Sequence, residues 1–155
     1  MEPDIGLDKK ARADVADALA QVLADNYALY QKTHSYHWNV TGARFRELHL
    51  MFEEQYNALW TATDELAERI RALGALAPSL ASMKKKAAIV ADNGDASAEQ
   101  MVLNLMKGHE TLAKSCHAAR ETADEADDQV TVDLMNARAA YSEKTAWMLR
   151  ATAEG

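Results

Sequence analysis

The sequence predicts an all-α protein: a four-helix bundle with one long crossover between its second and third helices. Three observations carry that prediction. Apolar residues recur at three- and four-residue spacings over long stretches. The 155 residues hold only 2 prolines and 6 glycines against 48% apolar residues, which disfavours both β-structure and disorder. After Gly74 comes a connection of about twenty residues, too long for an ordinary bundle loop. The length suits one domain with a proper core, placed at residues 8–152 behind a short tail at 1–7.

The first helix is expected from about Asp8 to Asn39, with Val15, Leu19, Val22, Leu23, Asn26, Tyr30 and His37 on one face. Thr41 and Gly42 turn the chain into a second helix from Phe45 to Leu73, closed by Gly74 and Pro78. The two form an antiparallel hairpin, which brings His37 beside the first part of helix two and within reach of His49. Inside the crossover, Ser79 to Ala88 is expected as a short extra helix, and Asn93-Gly94-Asp95 reads as a turn. Ser97 and Gln100 form a capping-box signal for the third helix, which runs to about Thr122. Its buried face is read as Val102, Leu105, Met106, His109, Leu112, Ala113 and Cys116. The last helix follows the acidic stretch and reaches about Ala151, with Leu134, Ala137, Tyr141, Thr145 and Met148 inward.

Composition narrows the function classes. The single cysteine, Cys116, rules out an internal disulfide framework and suits a reducing, cytoplasmic setting. No signal-peptide pattern opens the chain, and no apolar run approaches the length of a membrane span. A net charge of −7 argues against general nucleic-acid affinity.

The second helix carries the chemistry. His49, Glu53, Asp64 and Glu68 fall at about 0°, 40°, 60° and 100° around it, so these donors share one stripe. Glu53 and Asp64 nonetheless stand about 16 Å apart along the axis, too far to share one ion within a chain. The pairs His49/Glu68 and Glu53/Asp64 have a common midpoint between Ala58 and Leu59. An antiparallel second copy across a two-fold axis there would set His49 against the partner's Glu68, and Glu53 against the partner's Asp64. A self-complementary interface would then hold two equivalent shared sites. Tyr56 and Trp60 lie on the same stripe near the midpoint, which suggests burial.

Imidazole with carboxylates and no thiolate suits a first-row divalent ion, Fe(II) among them. Di-iron centres inside four-helix bundles use Glu-x-x-His on two helices, and no glutamate here has a histidine three residues on. Any iron site must lie elsewhere, and the two-fold construction supplies one. Residue pattern alone leaves a solvated acidic face open beside the metal reading.

Residues Lys32, His34, Tyr36 to Val40 and Gly42, then Phe45, Leu48, His49, Phe52 to Glu54 and Tyr56, resemble the Dps family of mini-ferritins. Asp64, Ala67 to Arg69 and the run Glu143 to Trp147 extend the resemblance over most of the chain. It implies a ferritin-like bundle assembled into a hollow dodecamer, with ferroxidase sites at two-fold interfaces and ferric mineral inside. By the same resemblance His37, His49 and Glu53 would come from one subunit and Asp64 and Glu68 from its partner, binding Fe(II) and yielding Fe(III), preferably with hydrogen peroxide. Glu53 stands where many members have Asp, one methylene longer.

Remaining features have simpler readings. His34 reads as a surface or supporting residue, Trp38 and Trp60 as packing, and His109 as a hydrogen-bonded core histidine. The resemblance adds a possible role for the two tryptophans in absorbing oxidising equivalents. Lys84 to Lys86 read as a solvated face. Between Glu121 and Asp133 stand six carboxylates and no Lys or Arg. That run is either a solvated junction or, in a cage of this family, the lining of an iron-entry pore with Asp128 and Asp133 foremost. Two function classes follow: an iron-oxidising store, and a nucleoid-coating DNA-binding protein. The N-terminal residues 1–12 balance Glu2, Asp4 and Asp8 against Lys9, Lys10 and Arg12, and no basic residue follows Arg150, which favours the store.

Overall fold

The computed structural model describes residues 1–154. The helices are α1 (Lys9–Asn39), α2 (Phe45–Ala72), α3 (Leu80–Lys86), α4 (Ala98–Glu125) and α5 (Gln129–Ala153), with no strand among the described residues. Each boundary has a local cause. Asp8 caps α1 through Ala11 N–H, and Ser97 caps α4 through Gln100 N–H. The expected capping box is only half made, because the Gln100 side chain donates forward to Asn104. Gly74, at φ 90°, ends α2, and its missing side chain leaves room for Pro3, which would meet a Cβ at 2.9 Å.

The core runs the length of the bundle, from Val15, Leu19, Val22 and Leu29 on α1 to Leu48, Phe52, Leu59, Leu66 and Ile70 on α2. Met101, Leu105, Leu112 and Cys116 add α4, and Met135, Ala139 and Leu149 add α5. Gly108 lets α4 approach α1 closely, since a Cβ there would sit 2.5 Å from a Leu29 methyl. The inward face of α5 keeps Thr145 of the expected set and otherwise differs from it. Val132, Met135, Ala139, Ser142, Thr145, Ala146 and Leu149 are buried, Ala137 and Met148 are exposed, and Leu134 and Tyr141 are half-buried. The helix is turned by about one residue, or 100°, because small residues fill the seam and leave larger apolar ones at its margin.

Polar anchors tie down the crossover. Buried Asp25 accepts from Ala88 N–H, the Ser115 hydroxyl and Gln21. Asp92 accepts from Tyr36 Oη–H and Gly94 N–H and pairs with Lys32. The N-terminal residues pack on the body: Glu2 pairs with Lys9 and Arg12, and Arg12 donates to Leu7 O.

At the α4–α5 corner, Asp127 takes the left-handed position (φ 57°), which Asp tolerates, and Asp128 caps α5. Asp128 is 2% exposed; its carboxylate accepts from Thr131 N–H and Oγ1–H and pairs with Arg69 at 2.7 Å. A carboxylate turned inward in this way cannot front an aqueous pore. Asp133 is exposed, as are Asp124, Glu125 and Asp127. Burial pushes the Asp128 carboxyl upward, but the Arg69 and Thr131 hydrogen bonds and the guanidinium charge outweigh it and hold the pKa below the ordinary 3.8. A depressed pKa contributes stability that is complete above the unfolded-state value and is lost as pH falls through the folded one. Asp128→Ala is therefore expected to cost about 2–3 kcal/mol at neutral pH. In denaturant titrations the gap between variant and parent should narrow below about pH 4; an equal gap at pH 3 and pH 7 would refute this account.

Candidate metal centre

The centre begins where α1 ends and α2 starts. His37 lies in the last turn of α1 and is 8% exposed; His49 lies in the second turn of α2 and is half-buried. Their rings stack at 3.9 Å between centroids with an 18° interplanar angle. His37 Nδ1 lies 2.8 Å from His49 O, and His49 Nδ1 lies 2.9 Å from His37 O. A carbonyl oxygen only accepts, so each Nδ1 carries the proton. Both Nε2 lone pairs are left free, which is the tautomer a metal ligand needs.

Glu53 follows one turn after His49 and is half-buried, while Asp64 and Glu68 are exposed further along α2. None of these three carboxylates enters an ion pair among the described residues. The structure thus joins His37 to His49, leaves Glu53 on the following turn, and keeps Asp64 and Glu68 apart. Among the described residues, no group of three or more His, Cys, Asp or Glu side chains is gathered closely enough to hold an ion. His37, His49 and Glu53 have the oxygen–nitrogen donor chemistry that suits a borderline divalent ion, but one chain does not gather them into a site.

An aromatic cluster that sequence reading did not assemble flanks the pair. His34 stacks on Tyr56 at 4.0 Å and 22°, lies 4.1 Å from Trp38, and its Nδ1 is 3.2 Å from Tyr30 Oη. Tyr56 meets His37 edge-on at 5.1 Å, and Tyr30 meets Trp60 at 5.2 Å. His34 therefore supports the wall beside His37, through Tyr56. Burial, then the neighbouring His37, lowers its pKa and favours the neutral ring. Trp38 and Trp60, expected as packing residues, are 65% and 55% exposed, so neither is buried within the chain. The helix periodicity that placed His34, Tyr30 and Trp38 on adjoining positions was the available signal; pairing α1 with Tyr56 and Trp60 required the hairpin register.

His109 also departs from expectation. It is fully buried, but neither ring nitrogen has a protein hydrogen-bond partner. Burial, then the charge of Arg138, pushes its pKa down to about 3.

Comparison with known proteins agrees with this layout. Residues 16–154 match the family described as ferritin-like domain. The DNA protection during starvation protein of Brevibacillus brevis is 39% identical over 141 residues, covering 90% of this chain and 95% of that protein. An uncharacterized low temperature-induced protein of Nostoc is 40% identical over 156 residues, covering 98% and 87%. Among solved structures, the Dps protein of Vibrio cholerae, described as a ferritin-like diiron-carboxylate protein, superposes with a TM-score of 0.92 at 36% identity over 97% of this chain and 95% of that one. The Bacillus brevis Dps structure gives 0.89 at 38% identity over 92% and 97%. The chain belongs to the Dps family of ferritin-like proteins.

Proposed function

We propose that this protein is a ferroxidase and iron store whose active sites form only where two chains meet. Family membership supports the coarser statement, a role in iron storage and stress protection. The observation that carries the finer one is the reciprocal hydrogen bonding of His37 and His49, which leaves two Nε2 donors on a fragmentary site. A second copy, antiparallel about the midpoint between Ala58 and Leu59, would add its Asp64 and Glu68 to His37, His49 and Glu53. Exposed Trp60 beside that midpoint gives the interface apolar surface to bury. The assembly proposed is the hollow dodecamer, with iron as substrate and hydrogen peroxide as oxidant.

In the reaction, the imidazoles and carboxylates bind two Fe(II) ions and offset their charge. One hydrogen peroxide takes one electron from each; with two protons it leaves as two waters, and Fe(III) passes to the mineral. Carboxylates favour the harder Fe(III) product, which lowers the barrier to losing the electron. Glu53 in place of Asp reaches one methylene further from α2 and sets how closely the two ions approach.

His49→Ala should leave the assembly intact and slow peroxide-driven Fe(II) oxidation by about 10–100-fold, the usual cost of losing a well-placed ligand. Anaerobic Fe(II) loading followed by peroxide, with absorbance recorded, measures this; parental rates in the variant would refute the site.

Iron entry is proposed along the exposed acids at the α4–α5 corner, with Asp133 foremost now that Asp128 is seen to be buried. Asp133→Asn should slow uptake at low ionic strength, and salt should slow the parent, since such steering is screened over about 10 Å at 0.1 M. Unchanged uptake kinetics would return the corner to a plain solvated junction.

The alternative, DNA coating, finds four of its six candidate cations engaged, with Lys84 and Lys85 exposed and in no ion pair among the described residues. Lys9, Lys10, Arg12 and Lys86 pair with Glu2, Asp14, Glu2 and Asp17 respectively. Phosphate binding would have to break these pairs on a chain of charge −7. Gel shift with plasmid at pH 7.5 and moderate salt should show no retention at low micromolar protein; retention that persists in chelator would restore the nucleoid role.

A further inference from the structure

Oxidisable rings are gathered beside the proposed metal centre instead of in the core. The chain has 5 tyrosines and 3 tryptophans. Of these, Tyr27, Tyr30, Trp38, Tyr56 and Trp60 stand in one patch around His34 on the α1–α2 hairpin. None of the five is fully buried, so filling the bundle does not account for them.

Three of them form a row that starts at a proposed ligand. Between ring centroids, Tyr56 meets His37 at 5.1 Å, Tyr30 meets Tyr56 at 6.4 Å, and Trp60 meets Tyr30 at 5.2 Å. His34 bridges the middle step: it stacks on Tyr56 at 4.0 Å, and its Nδ1 lies 3.2 Å from Tyr30 Oη. The row ends at Trp60, exposed and within two residues of the midpoint between Ala58 and Leu59. An antiparallel copy about that midpoint would set its own Trp60 about 4.5 Å away along the helix axis. Packed helices lie about 8–10 Å apart, a gap that two indole side chains span.

The shared sites themselves would be distant. The levels midway between His49 and Glu53, and between Asp64 and Glu68, lie about 22 Å apart along α2. Electron tunnelling falls off exponentially with distance, so one jump of that length is far slower than short steps through rings that can each give up an electron.

We propose that this row joins the two shared sites of a dimer and carries an electron from Fe(II) at one to peroxide at the other. The proposal rests on the ferroxidase reading. A site holding a single Fe(II) gives peroxide one electron, which leaves Fe(III), hydroxide and a hydroxyl radical. A second electron, drawn from Tyr30 through the stacked rings of His34 and Tyr56, turns the radical into a second hydroxide. While Tyr30 is oxidised its phenolic proton rests on His34 Nδ1, and it returns when Trp60 refills the phenol. The indole, left as a radical cation, is refilled through the partner's row, and the partner site's Fe(II) becomes Fe(III). The sum is one peroxide and two Fe(II) giving two hydroxides and two Fe(III). The row is restored at each turnover, and half-filled sites release no radical.

The test loads the iron-free assembly anaerobically with one Fe(II) per shared site, adds peroxide with a spin trap, and repeats at two per site. At one per site the parent should use one peroxide for every two Fe(II) and give little hydroxyl adduct. Tyr30→Phe, which removes only the phenolic oxygen, and Trp60→Phe should double the peroxide used per Fe(II) and raise the adduct, with assembly unchanged by size exclusion. At two per site both electrons are local, so parent and variants should match. Samples frozen during turnover at one per site should show a tyrosyl EPR signal that narrows with ring-deuterated tyrosine and is lost in Tyr30→Phe. Variants that match the parent at both loadings would overturn the row and leave the ferroxidase site standing. A parent that fails to oxidise Fe(II) even at two per site would sink the ferroxidase reading and the row with it. Oxidation products that build up on Tyr30 or Trp60 with repeated turnover, read by mass spectrometry, would make the patch a sink and also overturn the proposal.

Discussion

The two hydrogen bonds exchanged between His37 and His49 are the constraint on which the proposed metal centre depends. The last carbonyls of a helix have no partner within it, and His37 O in the final turn of α1 is one of them. His49 Nδ1–H fills that need, at the end of the helix where the macrodipole favours a donor. The return bond from His37 holds the second imidazole parallel to the first. One exchange thus caps a helix, locks the hairpin register and sets both tautomers. Asn26 repeats the register lock further down, donating to Leu59 O and Thr63 Oγ1.

The long crossover presents the opposite problem, a run of backbone that would be costly to leave unpaired against the bundle. Two acids solve it. Asp25 takes a backbone N–H from just beyond α3, and Asp92 takes one from Gly94 while holding the Tyr36 hydroxyl. Burial first, and the Asp92 hydrogen bond second, push the Tyr36 phenol well above its usual range, so it remains a donor throughout the working pH range. Asn104 donates to the same hydroxyl and ties α4 to the assembly of contacts. The rear of the hairpin is thereby rigid, and the two histidines project from a fixed frame.

Helix-scale features were legible because they rest on local chemistry. Asp8, Gly42, Gly74 and Ser97 are boundary residues whatever surrounds them, and the crossover helix followed from Ser79. The proximity of His37 and His49 followed from the hairpin alone. What escaped was decided by partners distant in sequence. Asp128 looked like one more surface acid of an acidic run, until Arg69 from α2 reached it. The face of α5 was misread by one position because Ala139, Ser142 and Ala146 give weaker periodicity than Leu134 and Met148 beside them. His34 seemed peripheral because its stacking partner, Tyr56, lies on the other arm of the hairpin.

Charge decides where a cation can be held in this bundle. A divalent cation needs free anionic oxygen, and the buried carboxylates of the bundle are engaged: Asp25 by Gln21, Ala88 and Ser115, and Asp128 by Arg69 and Thr131. Glu53, Asp64 and Glu68, which pair with no cation among the described residues, stand on α2 outside the core, where hydration makes their charge tolerable in a single chain. Burying them is tolerable only when a cation arrives with the second chain. On the ferroxidase reading, iron chemistry is then tied to assembly by the stripe of acids, which gives a physical reason for a shared site.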